Sequence, residues 1–170
     1  MNNKGKIIYL NGVTSSGKTT IVNALRQKRD FDFYYLSDDI FEDNIIDIEY
    51  GSPGYWTKLS EAVFLMYKTA KLFSDNGQTV IIDSMLIERE EFYPHYQRML
   101  ETFKNSPLIT VLVDCPLDIC RQRNIARPDR FEYQSHEQAK AMAQNVQYDL
   151  MLDTSVLTAE GCAKLITNLL

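Results

Sequence analysis

One stretch restricts the fold more than any other: Gly12-Val13-Thr14-Ser15-Ser16-Gly17-Lys18-Thr19-Thr20 satisfies the spacing G-x-x-x-x-G-K-[ST] in full. Before it stands Lys6-Ile7-Ile8-Tyr9-Leu10, a β-branched and aromatic run suited to a buried parallel strand. After it stands Ile21-Val22-Asn23-Ala24-Leu25-Arg26-Gln27-Lys28, apolar at helical spacing. Strand, glycine loop and helix in that order make a cradle for a polyphosphate. Gly12 and Gly17 permit positive φ and close backbone approach, the N–H groups of Thr14, Ser15 and Ser16 can wrap an anion, and the helix turns its positive end toward it. Lys18 is expected to neutralise the β- and γ-phosphates, Thr19 to offer its hydroxyl to Mg²⁺, and Thr20 to cap the helix or touch the α-phosphate. Such a loop reads phosphates, so it does not separate ATP from GTP.

A chain of 170 residues suffices for one well-buried domain and is short for two. Its net charge of −5, with no lysine block or basic tail, argues against a long nucleic acid as partner. Met1-Asn2-Asn3-Lys4-Gly5 runs straight into the first strand and leaves no room for a signal sequence, and no apolar run approaches membrane-spanning length. Cys115, Cys120 and Cys162 lack paired spacing and read as buried reduced thiols. A cytoplasmic location is expected.

Four further apolar runs punctuate the chain: Phe31–Leu36, Thr79–Asp83, Leu108–Asp114 and Tyr148–Thr154. They alternate with helical patterns at about 57–75, 85–103, 117–127, 136–147 and 159–170, which calls for a five-stranded parallel sheet with right-handed crossovers and helices on both faces, in the kinase-type order 2-3-1-4-5. Ligands of such sheets bind outside the carboxyl ends of the strands. Asp38 and Asp39 follow the second strand there; Asp38 is the candidate base or acceptor-orienting group, while its neighbour can cap a helix. Asp83 ends the third strand and is preferred over Asp114 as the carboxylate on the metal side, because in that order the third strand borders the first.

Three segments bear on the rest of a site. Residues 40–58 are expected to be irregular, with Phe41, Tyr50, Tyr55 and Trp56 around the turn Gly51-Ser52-Pro53-Gly54, which suits a flap near 40–66 over a partly apolar acceptor. That stretch contains no arginine, which argues against a very acidic acceptor. Arg121, Arg123, Arg127 and Arg130 cluster on a helix that Pro128 must interrupt, the pattern of a lid near 119–135 closing on a transferring phosphoryl group; Arg127 and Arg130 carry most weight. Glu88, Arg89, Glu90 and Glu91 read as a solvated face, His95 as a surface or supporting histidine, and Ser135-His136-Glu137-Gln138 as a capping box.

With these pieces assembled, the chain resembles the chloramphenicol phosphotransferase-like family of P-loop kinases. The resemblance runs nearly end to end, through Ile7-Ile8-Tyr9-Leu10-Asn11-Gly12, Ser37-Asp38-Asp39, Val80-Ile81-Ile82-Asp83, Cys115-Pro116-Leu117, Arg127-Pro128-Asp129-Arg130, Tyr148-Asp149 and Asp153-Thr154-Ser155. It departs at Ala143-Gln144-Asn145, where members often carry a histidine, and across 40–66. The resemblance implies that Asp38 accepts the proton of a substrate hydroxyl and that the products are an O-phosphorylated small molecule and ADP, whether in antibiotic resistance or in metabolism. The expectation is therefore a single kinase domain over residues 1–170. Lys18, Thr19 and Asp83 would hold Mg·ATP with help from Arg123, Asp38 would serve the acceptor, and Arg127 and Arg130 would stabilise developing charge.

Overall fold

All five residues of β1 (Ile7–Asn11) are buried, as in a strand covered on both faces. Successive side chains of a strand point to opposite faces. Ile7 and Tyr9 accordingly join one core with Val80, Ile82 and the helical residues Met66 and Tyr67, whereas Ile8 and Leu10 join another with Ile81, Val111 and Ile166. Two helices, α3 (Tyr55–Asp75) and α4 (His95–Phe103), cover the first face. On the second lie α1 (Lys18–Lys28) and α7 (Ala159–Thr167). The computed structural model describes residues 4–170; the reading placed on Met1, Asn2 and Asn3 lies outside them.

The remaining elements are β2 (Tyr34–Ser37), α2 (Asp38–Asn44), β3 (Val80–Ser84), β4 (Leu108–Asp114), α5 (Leu117–Ile125), α6 (Gln134–Ala141) and β5 (Leu150–Asp153). All strand pairs are parallel, in the order β2-β3-β1-β4-β5 that the alternation of elements predicts. Register then decides what meets at the carboxyl edge: Ser37 pairs with Asp83, and Asn11 with Ser84. Asp38, one residue past β2, lands beside Ser84 at the end of β3. Among the described residues no helix is long and apolar enough to cross a membrane, and the three cysteines are buried and unpaired.

Several boundaries differ from the sequence reading, for identifiable reasons. Residues 85–94 do not join α4, because their backbone N–H groups are already engaged: Met85 donates to Asp38 Oδ2, Leu86 to Asn11 Oδ1, Ile87 to His95 Nδ1 and Glu88 to the Ala141 carbonyl. Beyond them Phe92 N bonds only i−3 and Tyr93 N makes a lone i−4 bond, both to the Arg89 carbonyl, and Pro94 has no N–H to carry a ladder into α4. Residues 40–58 are not irregular throughout; α2 occupies their beginning and α3 starts at Tyr55. The N-cap of α2 is Ser37, whose hydroxyl accepts from Ile40 N at 3.1 Å, so neither aspartate is needed as the cap. Ser135 does not cap either: it is buried inside α6, which starts after Tyr133, and its hydroxyl accepts from Asn124 Nδ2 at 3.2 Å. The α5 helix stops at Ile125, ahead of Pro128 and its restricted predecessor.

Candidate active site

The turn after β1 explains its glycines in two ways. A Cβ on Gly12 would sit 2.4 Å from the Val113 carbonyl oxygen, so this position needs glycine for space, not for a positive φ. Gly17 has φ +107, a left-handed conformation that opens directly into α1. Ser15 shares the left-handed region at φ 59. Three outside groups hold the loop in place. Arg123 donates to the Ser15 carbonyl at 3.1 Å and to the Thr154 carbonyl at 2.9 Å, the Thr154 hydroxyl donates to the Ser16 carbonyl at 2.6 Å, and Gln138 Oε1 accepts from Thr14 N at 2.6 Å.

Lys18 folds back over this loop. Its Nζ donates to the carbonyls of Gly12 at 2.6 Å and Val13 at 3.0 Å, with Asp83 Oδ1 at 3.7 Å. Asp83 Oδ2 accepts from the Thr19 hydroxyl at 2.9 Å and from the Tyr35 hydroxyl at 3.1 Å. Burial, with Asp83 alongside, pushes the Tyr35 phenol up to about 12, so it remains a donor. One hydroxyl and one carboxylate side by side are the hard oxygen ligands that Mg²⁺ takes from protein, the remaining positions falling to water and phosphate. Asp114 is exposed and its carboxylate accepts from Cys115 N, away from Thr19.

Asp38 is the most perturbed acid of the site. Both of its hydrogen bonds converge on Oδ2, from the Ser84 hydroxyl at 2.7 Å and from Met85 N at 3.2 Å. Oδ1 is buried and has no partner among the described residues. Desolvation raises the carboxyl to about 7 against the pull of those two donors, with Asp83 adding to the rise and Lys18 opposing it. Behind Ser84 a chain of hydroxyls runs into the core: Tyr9 and Tyr67 share a hydrogen bond at 2.7 Å, and the Tyr67 hydroxyl lies 2.7 Å from His95 Nε2. His95 is thus buried, a correction to the surface reading. Because its Nδ1 accepts from Ile87 N at 3.0 Å, Nε2 carries the proton and donates to Tyr67. Burial holds this imidazole down at about 4.

A cavity of about 890 Å³ joins these parts. The phosphate loop, Asp83 and Asp38 line one half, and Tyr50, Tyr55, Trp56 and Phe92 line the other. The three rings of the 40–66 stretch meet edge to face, with centroid separations of 5.0 to 6.4 Å. Phe41 instead packs against the core. The arginines divide. Arg127 forks onto Asp129 at 2.8 and 3.1 Å, Arg130 reaches Asp39 at 2.8 Å, and both line the cavity. Arg121 pairs with Glu132 at the surface. Ser15 and Thr20 line the cavity, and the hydroxyls of Ser15 and Ser16 are buried without partners among the described residues. Sequence reasoning missed Gln138, Tyr35 and Arg89 as site residues. Of these only Arg89 left a signal, a cation among glutamates.

A family profile described as chloramphenicol phosphotransferase-like protein matches residues 5–170. An adenylyl-sulfate kinase of Clostridium acetobutylicum is 26% identical over 125 residues, which is 71% of this chain and 58% of that protein. The chain thus spans less than two thirds of that relative. A Mycobacterium tuberculosis protein named for an inferred O-phosphotransferase activity is 24% identical over 184 residues, covering 95% of this chain and 80% of its own. Among solved structures, the Mycobacterium tuberculosis APS kinase in complex with AMPPNP and APS superposes with a TM-score of 0.75 at 17% identity, over 98% of this chain and 97% of that one. At that identity the likeness is one of fold, that of the P-loop kinases.

Proposed function

The chain belongs to the chloramphenicol phosphotransferase-like family, and from that premise we propose that it is an ATP- and Mg²⁺-dependent kinase phosphorylating a hydroxyl of a small, partly apolar molecule. The observation that carries the reading is Asp38. A carboxyl group with a pKa of about 7, one buried oxygen without a partner among the described residues, and a position on the wall shared by the phosphate loop and an aromatic half-cavity suit it to receive a hydroxyl proton at neutral pH.

In this reading the acceptor hydroxyl donates to Oδ1 of Asp38, while Ser84 and Met85 keep the carboxylate oriented through Oδ2. Lys18 exchanges the loop carbonyls for phosphate oxygens. Arg127 and Arg130 give up Asp129 and Asp39 to meet the charge that spreads over the transferring group, where positioned cations lower the barrier most. Arg123 acts on the loop's shape through Ser15 and Thr154. Thr19 and Asp83 would hold Mg²⁺, which when bound neutralises the phosphate oxygens. The flap near 40–66 and the arginine lid near 119–135 are then the two mobile walls of one kinase domain, and the cytoplasm, where ATP is abundant, is its expected location.

ADP release from Mg·ATP across hydroxylated antibiotics, nucleosides and small metabolites tests the proposal, with Lys18→Ala as the blank. Acceptor-dependent release in the wild type alone supports it. No release with any acceptor, or release that persists in Lys18→Ala, refutes it.

A further inference from the structure

The aromatic half of the cavity holds a cation that the reading of residues 40–66 did not anticipate. Arg89 comes from the irregular turn after β3 and lines the cavity. Its guanidinium lies over the Trp56 indole with the central carbon 3.9 Å from the ring centroid. Stacking of this kind fixes the plane of the fork and leaves its edge free for in-plane hydrogen bonds.

The backbone that presents it is pinned on both sides. Glu88 N donates to the Ala141 carbonyl at 2.6 Å, the Arg89 carbonyl accepts from Phe92 N at 3.0 Å, and the Ser60 hydroxyl donates to the Glu91 carbonyl at 2.6 Å. The donor itself is unused: Arg89 Nε is buried and has no hydrogen-bond partner among the described residues. It does form an ion pair with Glu91 Oε2 at 3.6 Å, longer than a hydrogen bond, and the Arg89 side chain as a whole is 37% exposed. A buried donor on a charged group left without an acceptor is costly, and a ligand oxygen reaching the guanidinium would relieve that cost. The other charges in this half are committed, Glu42 to the Tyr55 hydroxyl and Asp39 to Arg130.

We infer that Arg89, held flat by Trp56, is a carboxylate-binding fork in the acceptor half of the cavity, so that the acceptor is a hydroxylated molecule with a planar apolar body and a carboxylate. The planar body lies along Tyr55, Trp56 and Phe92, the carboxylate meets the fork, and the hydroxyl faces Asp38. This inference rests on the kinase reading for calling the ligand an acceptor, and on the fork geometry alone for its anionic group. The arginine reaches the pocket from outside the stretch 40–66, which itself holds none.

Trp56 is the chain's single tryptophan, so its fluorescence reports directly on the face of Arg89. The experiment titrates the protein with 4-(hydroxymethyl)benzoate and with 4-(hydroxymethyl)benzamide, which share ring and hydroxyl and differ in charge. The acid is expected to bind about tenfold or more tighter than the amide, as a charge-assisted fork requires. Arg89→Gln should bring the ratio close to one, and Arg89→Lys, which keeps the charge without the fork, should fall between. Equal affinities in the wild type, no saturable response to either probe, or an unchanged ratio in Arg89→Gln each overturn the inference. Should Arg89→Gln fail to fold, Arg89→Lys decides the matter, since an acid preference equal to that of the wild type overturns the inference. The readout involves no phosphoryl transfer. A protein that shows the acid preference yet releases no ADP with any acceptor refutes the kinase reading and leaves the fork, while turnover of neutral acceptors alone does the reverse.

Discussion

Replacing Asp38 by asparagine should make the nucleotide-free protein more stable, and by an amount that grows with pH. The wild-type carboxyl titrates at about 7 when folded against an ordinary value of 3.8. Its folded-state pKa is raised, so its contribution to stability is fully present below pH 3.8 and is lost as pH climbs through 7. Between pH 5.5 and 7 the folded protein holds a proton that the unfolded chain has released, and at about 1.4 kcal/mol per pH unit the wild type loses about 2 kcal/mol over that interval. Above it the loss is complete. The amide in the variant has nothing to ionise. Its carbonyl oxygen can take the place of Oδ2 and keep both donors, Ser84 and Met85, while its NH₂ group falls where Oδ1 now has no partner, a fixed cost of about 1 kcal/mol that does not depend on pH.

The assay is urea unfolding of both proteins at pH 5.5 and at pH 8.5. His95 makes the comparison with the variant necessary. Its pKa is depressed to about 4, so its contribution is present above pH 6.5 and lost as pH falls through 4, opposite in sign to that of Asp38 over nearly the same range. The two trends mask each other in the wild type and separate in the difference between the proteins. The stability gap in favour of Asp38→Asn should widen by about 2 kcal/mol from pH 5.5 to 8.5. A gap independent of pH would mean that the carboxyl is not held near neutrality, and the argument for it as a proton acceptor would fall with it.

Asp38→Asn should also leave Mg·AMPPNP affinity by calorimetry within a few-fold of wild type while cutting turnover at least about a hundredfold; equal losses in both would point to a role in nucleotide binding. Lys18→Ala should weaken Mg·AMPPNP binding about a hundredfold, the scale of a lost charge-assisted contact to phosphate. Arg130→Gln should lower kcat about a hundredfold with little change in nucleotide KM, since the arginine now pairs with Asp39 and is proposed to act on the transferring group; a larger change in KM than in kcat would place it with ground-state binding instead. Tyr67→Phe removes the hydroxyl between Tyr9 and His95 and strands both partners in the core, so thermal unfolding should report a loss of about 2 kcal/mol or more.

How much of this could be read from the chain depends on the range of the interactions involved. The strand order follows from local signals repeated five times, apolar runs too short and too β-branched for helices, each separated by a helical pattern, with a glycine loop marking which strand is first. Those signals survive because nothing outside the segment is needed to produce them. The helix boundaries failed where the deciding partner was remote. Residues 85–93 contain good helix formers, but the N–H groups of 85–88 are taken by Asp38, Asn11, His95 and Ala141, which stand from eight residues to more than seventy away. Ser135 looks like a cap in sequence and is drawn into the core by Asn124.

The same distinction separates the two halves of the cavity. A phosphate is bound by backbone, so its site is encoded in glycines and a lysine at fixed spacing, and Gly12 through Thr19 announce it within one short stretch. The half of the cavity proposed for an acceptor is lined by side chains from elements that the fold brings together, here α2, the start of α3 and the turn after β3, none of which has a spacing to recognise. Arg89 shows the difference most sharply. In the run Glu88-Arg89-Glu90-Glu91 a cation among three anions predicts a solvated face, and three of those four side chains carry no other message. Trp56, far earlier in the chain, is what lifts Arg89 out of that pattern by covering one face of its guanidinium. Where a binding group depends on such a pairing, composition along the chain cannot exclude a substrate class; only the identity of the residue stacked against the charge decides whether it is solvent-facing or poised for a ligand.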